Sequence, residues 1–261
     1  MTGTGNFRKC ARSMGSRAVA CECARPSNRH QACFFMAMVT VILAALMVCE
    51  NEVSGMAKQK HIVLLGASVG HAWNIEALPG RVAAARNYRF EYVAEYAFDK
   101  TEALRGVLQR KQDRPDAVLI KECAAYFPGD LLQYQELVKG WVEECRQAKV
   151  VPILTTVVPV VSTKNKPIKD RLKDFIKTLL GRPTTATQLE GIFRYNDWVR
   201  GYVAREGLTV LDLEAPLRTS QDDRSLRVDL HSGDGLHLNA QAYELLDTVV
   251  VPTLDRAFLK K

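Results

Sequence analysis

Five short apolar runs, spaced between longer amphipathic stretches, constrain the fold of this chain more than any other feature. They read "HIVLLG" from His61, "RFEYVAEYAF" from Arg89, "DAVLI" from Asp116, "VVPILTTVVPV" from Val150 and "LTVLDL" from Leu208. Their β-branched and aromatic residues favour strands. Between them, apolar residues recur at helical spacing over Thr101 to Arg110, Asp130 to Ala148, Ile168 to Leu180 and Gln188 to Glu206. A last helix is expected from about Ala240 to Phe258, kinked or ended by Pro252. Strands that alternate with helices form a parallel sheet covered on both faces, because a parallel crossover needs a helix's length of chain. Ligands of such sheets bind beyond the carboxyl ends of the strands, so the loops that follow these runs are where chemistry is expected.

The pattern begins only at about residue 58. Ahead of it, Arg8, Lys9, Arg12, Arg17, Arg25 and Arg29 stand against Glu22 alone. The 18-residue run "ACFFMAMVTVILAALMVC" follows, and then Glu50 and Glu52. A basic flank, an apolar run and an acidic flank fit a secretory signal or an N-terminal membrane anchor, and the run is at the short limit for a spanning helix. The small residues of "GMA" at Gly55 to Ala57 suit signal cleavage before Lys58. Residues 1–57 are therefore expected to be a leader, with possible membrane association through residues 32–49, and residues 58–261 a single domain outside the cytoplasm. Net charge +3 of the formal +7 belongs to this leader, as do five of the seven cysteines. Cys123 and Cys145 alone remain in the domain, which excludes a disulfide framework.

Two motifs carry chemistry. Ser68 directly follows the first strand and is flanked by Gly66 and Gly70, so the backbone can turn sharply there and approach a ligand. A serine so placed can attack a carbonyl if a base takes its proton. Near the C-terminus, "SGDGLHLNAQAYELL" sets His237 two residues ahead of Asn239, a helix N-cap, and Asp234 three residues behind. His237 is the candidate base, and Asp234 would fix its tautomer.

"GAS" after the first strand and "DGLHLN" before the last helix resemble the first and last blocks of the SGNH, or GDSL-type, hydrolases. "YNDWVRGYVAREGLTVLDLEAPL" resembles the family's penultimate helix and strand, so the likeness runs from about Lys58 to the end. It implies a flavodoxin-like three-layer α/β/α fold with a five-stranded parallel sheet. It also implies a serine esterase or lipase reaction, with Ser68, Asp234 and His237 in the matching positions. The departures are specific. Ala67 replaces the usual aspartate before the serine, Phe98 falls nearest the second-block glycine, and Cys123 and Ala125 take the places of the third-block glycine and asparagine. The Ser68 N–H remains as an oxyanion donor, and Tyr126 or Asn74 is the candidate for a second. Gly66, Phe98 and Glu122 are expected to border the same site.

Other residues leave alternatives open. Lys121 and Glu122 end the third strand either as a mutually satisfied pair or with Glu122 orienting substrate or water. His71 and His231 are the histidines that could join Asp234 and His237 around a metal, but no "HxxxH" or "HxH" spacing supports this, and no metal or cofactor is expected. His61 is expected only to begin a strand. Asn196 and Asp197 look like the missing third-block pair but belong to a helix elsewhere in the order. From Lys164 to Arg182 seven basic residues face two acidic ones. That stretch is either a solvated helix packed on the domain or a basic cover that holds an anionic polysaccharide or lipid headgroup. Aromatic residues are not interleaved with the basic ones, which argues against a nucleic-acid partner. The expected activity is serine-dependent hydrolysis of an acyl or acetyl ester of a carbohydrate or lipid. The alternatives are an acyl transferase using the same triad and a non-catalytic cell-envelope or carbohydrate-binding domain.

Overall fold

The computed structural model describes residues 58–259. The expected leader, with its apolar run and signal cleavage point, lies outside the described residues. Strands β1 (Lys60–Gly66), β2 (Tyr88–Ala94), β3 (Ala117–Ile120), β4 (Val151–Thr155) and β5 (Thr209–Leu211) form one sheet in the order β2-β1-β3-β4-β5. All neighbours are parallel, with Ile62 opposite both Phe90 and Ala117. This is the flavodoxin-like order anticipated above, whose strand order reverses between β1 and β3. The helices are α1 (Ser68–Trp73), α2 (Leu78–Arg81), α3 (Thr101–Leu108), α4 (Leu131–Gln147), α5 (Ile168–Leu179), α6 (Thr185–Arg205) and α7 (Ala240–Leu259).

Alternation along the strands creates two cores. Ile62 and Leu64 of β1 and Ala117 and Leu119 of β3 enter a cluster with Trp73 of α1 and Leu246, Val250 and Leu254 of α7. Val63, Leu65, Val118 and Ile120 point the other way, into a cluster with Leu104 of α3, Trp141 of α4 and Ile192 and Tyr195 of α6. Each fully buried aliphatic or aromatic side chain contributes about 1.5–3 kcal/mol relative to exposure, so both faces must be covered.

Three local expectations are corrected. The second run leaves the sheet at Ala94, and Phe98 lies in the loop beyond it. The fourth leaves at Thr155, after which Asn196 holds the chain: its amide accepts from Val157 N at 2.7 Å and donates to Val157 O at 2.9 Å and Glu214 Oε2 at 2.7 Å. Pro252 does not end the last helix, which continues to Leu259. An interior proline costs about 3 kcal/mol, but Val250, Val251, Leu254 and Ala257 are buried around it and hold the helix together.

The far end of α1 is fastened to α7. Asp247, almost fully buried, accepts from Trp73 Nε1 at 2.8 Å and from Arg81 Nε at 2.7 Å and Arg81 Nη2 at 3.1 Å. Replacing Asp247 with alanine leaves a buried indole N–H and a guanidinium without their acceptor. Denaturant titration of Asp247→Ala is expected to show a loss of about 3 kcal/mol of folding stability.

Candidate active site

Strand β1 ends at Gly66, where a side chain would press on the residue just past β3: a Cβ would lie 3.1 Å from Lys121 O and 3.2 Å from Lys121 Cβ. The chain then turns directly into α1, whose first residue is Ser68. Tyr92 of β2 fixes this turn by donating its hydroxyl to Gly66 O at 2.8 Å and sharing it with Ala67 O at 3.1 Å. The amides of Gly70 and His71 both reach back to Ala67 O. As the first amides of a helix, those of Ser68 and Val69 have no intrahelical acceptor and stay available to a ligand.

His237 arrives from a loop built largely from its own polar groups. Asp234 Oδ1 accepts from the amides of Leu236 at 2.9 Å and His237 at 2.8 Å, which closes an Asx-type turn. Gly233 (φ +122°) and Gly235 (φ +75°) take backbone conformations that side chains disfavour. His231 Nδ1 accepts from both glycine amides, and Gly235 O accepts from Val161 N, which ties the loop to the segment after β4. On the other side Asn239 Oδ1 caps α7 through Ala242 N at 3.0 Å.

The two loops meet. His237 Nε2 lies 3.3 Å from Ser68 Oγ, and His237 Nδ1 lies 2.5 Å from Asp234 Oδ2. Because a carboxylate can only accept, the Nδ1 proton belongs to the bond with Asp234, and Nε2 is left as the acceptor that faces the serine. Burial would raise the Asp234 pKa. The His237 ring and the two backbone amides outweigh it and hold the carboxyl down at about 2. A depressed carboxylate pKa adds stability that is present above the ordinary value and is lost as pH falls toward 2, so this loop keeps its charge in mild acid. Asp234 and His237 are about half exposed, and the site is open to solvent.

The remaining candidates make no hydrogen bond to Ser68 among the described residues. Asn74 is exposed and ends α1 in a left-handed conformation (φ 47°), roughly 9 Å along the helix axis from its start. Phe98 is buried and stacked on Tyr134, with ring centroids 3.5 Å apart, and makes an edge contact with Tyr195. It is a core residue. Tyr126 packs edge-on against Phe98, and its buried hydroxyl makes no hydrogen bond within the described residues. Glu122 is fully buried and pairs not with Lys121 but with Lys100, Nζ to Oε2 at 2.7 Å. Gly66 contributes close approach rather than a donor.

Lys100 and Lys121 are both buried, although lysine ordinarily marks a surface. Lys100 also donates to Ala97 O and Phe98 O. Lys121 packs against Gly66 beneath the nucleophile turn and donates to Glu122 O, while burial pushes its ammonium pKa down to about 8. No set of metal-ligating side chains among the described residues includes His71, His231, Asp234 or His237. The set that does occur, His61, Glu91 and Asp113, stands at the opposite end of β1, with its carboxylates already held by Arg110 and Arg89.

The parallel five-stranded sheet, with a serine after β1 and an aspartate–histidine loop before the last helix, has the architecture of the SGNH, or GDSL-type, hydrolases. Among solved structures the chain is similar to a GDSL-like lipase from Bacteroides thetaiotaomicron, at 16% identity and TM-score 0.53, covering 80% of this chain and 96% of that one. It is likewise similar to an acetylxylan esterase from Geobacillus stearothermophilus, at 12% identity and TM-score 0.53, covering 76% of this chain and 95% of that one. These likenesses establish the fold. No protein-family model and no curated protein matches the sequence.

Proposed function

We propose that this chain is a serine-dependent ester hydrolase that removes an acyl or acetyl group from a carbohydrate or lipid. The observation that carries this reading is the continuous line Ser68 Oγ to His237 Nε2 to Asp234, with the histidine tautomer set for proton acceptance. Ser68 Oγ attacks the ester carbonyl carbon while its proton passes to His237 Nε2. The oxyanion that forms accepts from the Ser68 amide at the start of α1. As the tetrahedral species collapses, His237 gives the proton to the departing alkoxide oxygen, leaving an acyl-serine and a free alcohol. Water then attacks the acyl-serine and gives its proton to His237, which returns it to Ser68 as the acid leaves.

A solved neighbour that is a lipase and another that is an acetylxylan esterase support O-acyl esters as the substrate class. The open setting of His237 suits an alcohol portion larger than the acyl group. We place the activity outside the cytoplasm, on the sequence of residues 1–57.

A 4-nitrophenyl ester series from acetyl to long acyl, assayed with and without an added sugar, tests the reading. Release of nitrophenol with water alone is expected, and the preferred chain length identifies the acyl class. Release only in the presence of the sugar would instead make the chain a transferase, and absence of release across the series would make it a binding domain.

A further inference from the structure

Helix α5 wears its apolar face on the outside. Ile168, Leu172, Phe175, Ile176, Leu179 and Leu180 are 47–81% exposed, although they share one side of the helix. This overturns the expectation that the face packs on the domain. The side turned inward is acidic. Asp174 is buried and accepts from the Thr163 hydroxyl at 3.0 Å, while Asp170 is half-buried and pairs with Lys173. Lys177 sits 3.8 Å from Asp174.

Turning both acids inward leaves an outer surface with one sign of charge. Lys164, Lys169, Arg171 and Arg182 border the apolar stripe, and none forms an ion pair among the described residues. Contiguous apolar patches of this kind on a soluble domain mark an interaction surface. The charge selects the occupant. A two-fold dimer through this face would bring the basic margins of one copy against those of the other, a like-charge arrangement that disfavours self-association. A short helix with bulky apolar residues on one side and lysine and arginine at its margins matches the pattern of helices that lie in an anionic membrane interface. The apolar run at residues 32–49 points to the same surface from sequence.

We propose that the outer face of α5 docks on an anionic phospholipid bilayer, with Leu172, Phe175 and Leu179 among the acyl chains and the flanking lysines and arginines at the phosphates. The inner face of the same helix supplies Lys173 and Lys177 to a cavity of about 330 Å³ that also contains Asp234 and His231. The inference does not depend on the ester reading.

Phe175→Trp in the full chain gives the test, with the wild type, which carries Trp73, Trp141 and Trp198, as baseline. Vesicles of phosphatidylcholine and phosphatidylglycerol with brominated acyl chains should quench the added tryptophan and shift its emission to the blue, beyond any change in the wild type. The excess quenching should fall several-fold in phosphatidylcholine vesicles, at high salt, and after Lys164, Lys169, Arg171 and Arg182 are changed to glutamine. It should vanish with Leu172→Glu and Leu179→Glu, while circular dichroism stays unchanged. An added tryptophan that remains unquenched on bound vesicles overturns the proposal. So does emission already shifted to the blue without lipid, either in a protein of twice the monomer mass, which assigns the face to a second copy, or in a monomer, which assigns it to the leader.

Discussion

Ser68→Ala and His237→Ala are each expected to reduce ester turnover by on the order of 10³-fold or more, with folding unchanged. The two losses should not add. Ser68 and His237 act as one unit, so once the nucleophile is gone the base 3.3 Å away has no proton to accept, and the double variant should fall little below either single one. Asp234→Asn should retain more activity than either, because it removes the 2.5 Å bond that fixes the tautomer without deleting the base. Steady-state rates on the best ester of the nitrophenyl series, with circular dichroism as a folding control, provide the measurement. A Ser68→Ala protein working near the wild-type rate would make Ser68 a turn residue only.

Glu122→Ala is expected to be the most damaging single change to stability. Lys100 and Glu122 are both sealed from solvent and joined at 2.7 Å, and the lysine's other bonds go only to two backbone carbonyls. Removing the carboxylate strands a charge in a low-dielectric interior, which costs about 3–5 kcal/mol. Replacing both partners at once, Lys100→Met with Glu122→Leu, should recover most of that loss, since no charge is then left buried. Urea titrations of the single and double variants make the comparison. If Glu122 instead orients substrate, the double variant would regain stability yet lose turnover. Its enclosure between Lys100 and the aromatic cluster around Phe98 argues for unchanged specific activity.

The sheet was legible because its strands are apolar on both faces, and such runs admit few alternatives once helical patterns separate them. The juxtaposition of Ser68, Asp234 and His237 was legible for a related reason: the loop after β1 and the loop before α7 meet at the carboxyl end of the parallel strands. The surroundings were not. Helix α1 is six residues long, too short to show a period, so Asn74 looked like a neighbour of Ser68 when it lies at the opposite end. Phe98 and Glu122 lie close in sequence to positions where the SGNH hydrolases carry donors, but in this chain the interior claimed both, one for stacking and one for a buried ion pair. Lys100 carried no sequence signal of burial. For α5 the sequence told that one face is apolar and not which face is covered. The clue lay in Asp170 and Asp174, spaced four residues apart on the face opposite the apolar stripe.

The buried carboxylate of Asp247 has an implication for how such a site can be varied. It fastens α1, which begins at Ser68, to α7, which begins just past His237, and it does so from the buried far end of α1. The alignment of Ser68 and His237 is thus secured by a buried joint distinct from the loops that carry them. Exposed positions of α5, which lie beyond the tie between Val161 and Gly235, are free to change charge without disturbing that alignment. The chain separates two design problems that a single surface loop would have to solve together: keeping two atoms in register, and choosing what is presented to them.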